Sequence, residues 1–249
     1  MAGGLGWVSD TNLHDAEDRF DLNRVGILGA DWNGNIAENL GFSVEYAKYY
    51  EIEKGQMRAH GTSNENGALD ARFNFKTGDL GLMAGYVDIQ PNFRGPMAYW
   101  GRFGRTLNIV DVKGPVAQVT YNFSENLSAN VGADIFSRSQ DDVVSTADDA
   151  MIGFYPKGNV SRYHAGLEWG FKASYNLKVE GEQIIWDPDG YSRNPTENYL
   201  TFQIGHDWNE NSFLRLLYQV VDWRGKNVNE PYGPDYKGSV VGAQVGVRF

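Results

Sequence analysis

The sequence predicts an all-β chain, a closed antiparallel β-barrel of about twelve strands (10–12), as a single domain over residues 1–249. Three observations predict it. Apolar and polar residues alternate with a period of two from end to end, while helix-period segments are hard to find. The connections between alternating runs are short and long in turn. The aromatic residues, 14 Tyr, 13 Phe and 7 Trp, gather toward the two ends of those runs.

The first candidate strand is "MAGGLGWV", weakly patterned, with Leu5 and Trp7 on one face of Gly3–Val8. "FDLNRVGILGADW" follows, with noisy faces. "LGFSVEY" sets Leu40, Phe42, Val44 and Tyr46 against Gly41, Ser43 and Glu45, and "ALDARFNF" sets Leu69, Ala71, Phe73 and Phe75 against Asp70, Arg72 and Asn74. "AQVTYNF" opposes Ala117, Val119, Tyr121 and Phe123 to Gln118, Thr120 and Asn122. "LSANVGADIFSR" opposes Leu127, Ala129, Val131, Ala133 and Ile135 to Ser128, Asn130, Gly132, Asp134 and Arg138. The clearest run is "RYHAGLEWGFKASY". Tyr163, Ala165, Leu167, Trp169, Phe171, Ala173 and Tyr175 form one face; Arg162, His164, Gly166, Glu168, Gly170 and Lys172 form the other. "LKVEGEQIIW" puts Lys178, Glu180 and Glu182 on its polar side. "YLTFQIGHDW" puts Leu200, Phe202, Ile204 and Trp208 opposite Tyr199, Thr201, Gln203 and Asp207. "FLRLLYQVVDW" is again noisy. The chain ends on "GSVVGAQVGVRF", with Val241, Ala243, Val245, Val247 and Phe249 on one side.

Short connections ("NGNIAEN", "KTGD", "SEN", "ASYN", "NEN") alternate with longer ones at about 48–66, 90–113, 139–160, 187–197 and 224–238. A soluble sandwich or propeller would pack the apolar face into a core. Three features favour a membrane instead. The runs are long enough to cross roughly 25 Å of hydrocarbon when tilted. The polar faces mix acids, bases, Gly, Ser and Gln, as a water-filled lumen would. The short and long connections match periplasmic turns and extracellular loops. No run of about 18 apolar residues exists, so strands must do the crossing, and their sheet must close to satisfy its backbone. Aromatic tiers are expected at both interfaces, with Trp32, Tyr121, Tyr175 and Trp208 near short turns and Tyr163, Trp186 and Trp223 toward the long loops.

Composition excludes several classes. A net charge of −10 argues against a nucleic-acid partner. Without cysteine there is no disulfide, thiolate nucleophile or Cys-ligated metal. "MAGGLGWVSD" has neither the basic nor the apolar region of a signal peptide, so the protein is either cytoplasmic or a mature chain restarted at Met1, and the strand pattern favours the second.

The ending "VVGAQVGVRF" resembles the assembly signature of bacterial outer-membrane β-barrels. That resemblance implies an outer-membrane location and recognition by the barrel-assembly machinery through Val245, Val247 and Phe249. It also implies pairing of the last strand with the first. "DVKGPVAQVTYNFSENLSANVGADIF" and "DYKGSVVGAQVGVRF" look like the barrel part of porins that carry an S-layer-homology domain. No such domain is in this sequence, which puts a peptidoglycan-tethering role in doubt. The size is similar to that of small twelve-stranded oligosaccharide-specific channels, with no motif to match them.

Enzyme constellations are poor. His14, His60, His164 and His206 lack the spacing of metal ligands, no G-x-S-x-G occurs, and "GRFGRTLNI" lacks the phosphate-loop pattern. The acids around Asp141 and Asp187 do not follow the EF-hand spacing. No catalytic residue, metal or cofactor is expected. The long segment "QPNFRGPMAYWGRFGRTLNIVD" carries Arg94, Arg102 and Arg105 among aromatics that include Trp100. It either folds into the lumen as a constriction or caps the barrel outside, as a loop or an irregular strand pair. The expected lumen lining is Glu45, Asp70, Arg72, Gln118, Asn130, Asp134, Arg138, Arg162, His164, Glu168, Lys172, Glu180, Glu182, Gln203, Arg215 and Gln244. These residues point to a porin, a channel for passive diffusion of small hydrophilic solutes or ions, with mild cation preference. The alternatives are a plugged structural barrel serving as anchor, adhesin or accessory subunit, and a barrel-embedded enzyme. The expected partners are the lipid bilayer of the outer membrane, the assembly machinery and the solutes; a homo-oligomer is compatible with the sequence.

Overall fold

A computed structural model describes residues 2–10, 24–53, 56–58, 66–91, 93, 111–139, 158–172, 174–188, 194–209, 212–225 and 235–247. All of its regular structure is β. In chain order the strands are β1 (Ala2–Asp10), β2 (Arg24–Ala37), β3 (Leu40–Glu53) and β4 (Gln56–Arg58). Then come β5 (Gly67–Thr77), β6 (Leu80–Ile89), β7 (Val112–Ser124), β8 (Leu127–Phe136) and β9 (Gly158–Phe171). The last four are β10 (Tyr175–Pro188), β11 (Thr196–Asn209), β12 (Ser212–Arg224) and β13 (Tyr236–Val247). Several reach 14 residues, against about five or six in an ordinary soluble strand.

Each strand bonds to its neighbour in sequence, in the order β1-β2-β3-β5-β6-β7-β8-β9-β10-β11-β12-β13, while the short β4 pairs with β3 alone. Such a meander is the cheapest way to join antiparallel strands, because a hairpin closes a small loop. Gly78, at φ 55, lets the chain reverse between β5 and β6 in the left-handed region that a side chain disfavours. "NGNIAEN", expected as a connection, instead continues β2 to Ala37, with a register shift between Asn35 and Ala37. The shift absorbs one residue so that the ladder can run to the turn at Glu38 and Asn39.

Gly3–Val8 lies within β1 and pairs along its length with β2, from Ala2 opposite Asn33 to Asp10 opposite Val25. The expected pairing of the last strand with this segment is not formed among the described residues, and the sheet there is not closed.

The chain falls into two compact units, residues 1–74, 85–115 and 137–156 in one and residues 75–84, 116–136 and 157–249 in the other. In the first, Val87, Ile89 and Val112 are buried. Gln90 ties the end of β6 to the start of β5 twice: its N–H donates to Gly67 O (2.9 Å), and its Oε1 accepts from Gly67 N–H (2.7 Å). Asp111, at φ 58, accepts from Arg138 Nε at 2.6 Å, and Lys113 Nζ donates to Ser139 O at 2.9 Å. Arg138 therefore stands beyond the end of β8, holding the entry to β7.

In the second unit burial is inverted relative to a soluble protein. Val241 is 76% exposed and Val245 65%, and Trp208, Phe123 and Val131 are also more than half exposed. Asp134 and Glu197, by contrast, are only 4% and 2% exposed. A soluble domain would reverse these, since charged side chains are almost never fully buried and large apolar patches are rarely left in water.

Candidate functional site

The register of the second unit fixes which side chains share the polar face, because residues directly opposite one another in an antiparallel ladder point the same way. One row runs Val116, Asp134, Arg162, Ile184, Glu197, Trp223 across β7 to β12. The next runs Gln118, Gly132, His164, Glu182, Tyr199, Val221, followed by Thr120, Asn130, Gly166, Glu180, Thr201, Gln219. Two further rows hold Asn122, Ser128, Glu168, Lys178, Gln203, Leu217 and then Gly170, Asn176, Gly205, Arg215, Gln244. Thus Gln118, Asn130, Asp134, Arg162, His164, Glu168, Glu180, Glu182, Gln203, Arg215 and Gln244, spread over 127 positions of sequence (244 − 118 + 1), stand on one face.

The first two rows contain the most enclosed chemistry. Arg162 donates from Nη1 to Asp134 Oδ2 at 2.9 Å and from Nη2 to Glu182 Oε2 at 3.1 Å, so one guanidinium spans β8, β9 and β10. Glu197 accepts from Trp186 Nε1 at 2.7 Å through Oε1 and from the Tyr199 hydroxyl through Oε2. Around this tier the same side of the sheet is apolar, with Val116, Phe136, Val160, Ile184, Trp186 and Trp223 buried. Lower rows are more open and carry local pairs: Lys178 Nζ to Glu180 Oε1 at 2.9 Å, and Arg215 Nη2 to Asp207 Oδ1 at 2.6 Å. The Arg215 guanidinium also lies 4.9 Å from the centre of the Phe213 ring.

Glycines make room for these side chains. A Cβ on Gly132 would stand 2.3 Å from His164 Nε2 and 2.7 Å from Ala117 O, and the second of these cannot swing aside. Gly132→Ala is therefore expected to cost about 1–3 kcal/mol, read as a lower urea midpoint of unfolding. An unchanged midpoint would show that the His164 ring does not rest on Gly132.

The opposite face is apolar, and its lower edge is aromatic. Trp169 and Phe171 (5.2 Å between ring centres), Phe171 and Tyr175 (5.7 Å), Tyr175 and His206 (4.3 Å), and His206 and Trp208 (5.6 Å) form a continuous ladder. This gives His206, an awkward residue on an apolar face, its place: it is stacked flat on Tyr175, with Nδ1 3.2 Å from Ser174 O beside the turn. Above the ladder lie Leu177, Ile204 and Leu216, then Val179, Phe202 and Tyr218, then Gly181, Leu200 and Val220. Polar residues resume at Gln183, Asn198 and Asp222, where Gln183 Nε2 donates to Asn198 Oδ1 at 2.9 Å.

Other expected lining residues have separate places. Asp70 and Arg72 pair in β5, with both carboxylate oxygens 2.7 Å from the guanidinium. Glu45 is exposed in β3 opposite Asp31. Lys172, at φ 57, sits in the turn between β9 and β10. Val245 and Val247 are exposed on β13; Phe249, Arg94, Trp100, Arg102 and Arg105 lie outside the described residues. Trp186 and Trp223, expected in an outer aromatic tier with Tyr163, are instead buried on the side of the sheet that carries the charges, whereas Tyr163 is exposed. Their strand parity with Glu182 and Gln219 decides this, and a buried indole N–H finds its acceptor in Glu197. Glu197 lies two residues before the segment "YLTFQIGHDW", in the same strand and with the parity of Tyr199, so the alternation extended back to it is its signal in the sequence.

No protein-family model and no curated protein matches the chain. Among solved structures, it is similar to the NanC porin in a rhombohedral crystal form, at 11% identity and TM-score 0.45 over 99% of each chain. It is also similar to the CymD monoaromatic hydrocarbon channel, at 8% identity and TM-score 0.49 over 98% of this chain and 75% of that one. A porin refined at 1.8 Å aligns at 9% identity and TM-score 0.48, over 95% of this chain and 66% of that one.

Proposed function

We propose that the chain is a single-domain β-barrel of the bacterial outer membrane that passes small hydrophilic solutes or ions by diffusion. The inverted burial carries this reading: apolar side chains face outward in bulk while ionised groups are enclosed. The outward apolar rows have the right height for a bilayer. From His206 to Asn198 the chain advances eight residues, about 26 Å along the strand at ~3.3 Å each. A tilt of about 40° leaves about 20 Å, close to the ~25 Å band of outer-membrane barrels.

In this reading β13 closes the sheet against β1 to give twelve staves, because an open edge would leave unpaired backbone groups in lipid. The short turns face the periplasm and the long connections face outward. Val245, Val247 and Phe249 present the strand to the assembly machinery. The polar rows line the lumen, where Asp134, Glu168, Glu180, Glu182, Glu197 and Asp207 outnumber Arg162, Lys178 and Arg215 and favour cations. In this reading Arg94, Arg102, Arg105 and Trp100 narrow the lumen from the long loop.

Planar-bilayer recording tests this reading. The folded protein is expected to give stable conductance steps with cation preference. One observation favours a second reading: the buried apolar residues from Val116 to Trp223 suit a plugged barrel that acts as an anchor. A folded, heat-modifiable but silent protein would establish that reading, and a protein soluble without detergent would defeat both. Replacing Arg94, Arg102 and Arg105 together by Gln is expected to raise conductance and cation preference. No change in either would place that loop outside the passage.

A further inference from the structure

We propose that the barrel wall itself contributes to the choice between cations and anions, at the tier where Arg162 is held between Asp134 and Glu182. The proposal rests on the channel reading and adds to it a specificity determinant that lies outside the long loop. Its basis is a contrast between rows of one face. In the lower rows two ion pairs are open to water. Lys178 (36% exposed side chain) pairs with Glu180 (45%), and Arg215 (23%) with Asp207 (43%). Water and salt screen such pairs, so their field reaches little beyond them. At the tier, Asp134, Glu182 and Glu197 are enclosed beside apolar side chains, with a single guanidinium set among them. Enclosed charges interact through a lower effective dielectric and are felt more strongly by a passing ion.

An independent observation has the same sign. Gln219, two rows below and 6% exposed, donates from Nε2 to Thr201 Oγ1 at 2.8 Å, and its Oε1 is buried with no hydrogen-bond donor among the described residues. Without a donor the negative end of that carbonyl dipole stays uncompensated and adds to the field of the acids above it. The enclosed acids and this carbonyl dipole together favour small inorganic cations and ammonium-bearing solutes.

Reversal potentials across a KCl gradient test this in the full chain. The Asp134→Asn/Glu182→Gln double variant is expected to lower the potassium-to-chloride permeability ratio about threefold or more. Arg162→Gln is expected to raise it by a similar factor, whereas Lys178→Gln/Glu180→Gln in the open row moves it by less than about 1.5-fold. If the double variant fails to give a heat-modifiable barrel, Glu182→Gln alone, which keeps the Arg162–Asp134 pair, should lower the ratio about twofold. A conducting wild type whose ratio ignores the tier variants overturns this inference and leaves the channel reading standing. A wild type without conductance overturns the channel reading itself.

Discussion

On the proposed membrane reading, Phe202→Arg is expected to destabilise the protein by about 2–4 kcal/mol, the cost of an arginine near the bilayer midplane on a barrel's lipid face. Phe202 is in the middle outward row, between Val179 on β10 and Tyr218 on β12, with apolar rows above and below. No snorkelling route is short from there. The adjacent residue gives the control. Gln203 points to the polar face beside Lys178, and Gln203→Arg is expected to cost less than about 1 kcal/mol. Urea unfolding from lipid vesicles reads both. Equal midpoints for the two variants would mean that Phe202 does not meet hydrocarbon, and the membrane assignment would fall with it.

The second large effect is expected at Glu197. Its carboxylate accepts from the Trp186 indole and the Tyr199 hydroxyl in a site that is 2% exposed. Glu197→Ala removes both acceptors at once and leaves a cavity, at a cost of about 2–4 kcal/mol. Glu197→Gln keeps one carbonyl acceptor and nearly the same volume, so about half of that loss is expected. The same vesicle titration measures both, and tryptophan emission should shift to the red in the alanine variant as Trp186 becomes hydrated. A Glu197→Ala protein as stable as the parent would show that the enclosed carboxylate does not hold the end of the polar face together.

These expectations differ in how far the sequence alone could carry them. Phe202 and Gln203 could be assigned to opposite faces from "YLTFQIGHDW", because the two-residue period is a property of extended backbone and needs no partner strand. The same holds for Tyr163, Leu167 and Trp169 against Arg162, His164 and Glu168. It fails where the pattern is blurred. In "FDLNRVGILGADW" the noisy faces do not mark Asp31, which stands opposite Glu45, and Trp186 follows the parity of Glu182 instead of an outer aromatic tier. The ladder from Trp169 to Trp208 was legible only as scattered aromatics, since its stacking joins residues on separate strands.

What the sequence determined by itself is the all-strand class, the long staves, the alternation of faces in the well-patterned segments and the poverty of catalytic motifs. All of these are local properties, fixed by backbone geometry and side-chain polarity within a few residues. Only the tertiary structure decided that Arg162 bridges Asp134, 28 residues before it, and Glu182, 20 residues after it. It alone decided that Trp186 meets Glu197, and that the charged end of the polar face is enclosed while the other end stays open. These depend on inter-strand register. A slip of one residue would turn every such side chain to the opposite face, so register is set by the whole set of paired strands and by no segment alone.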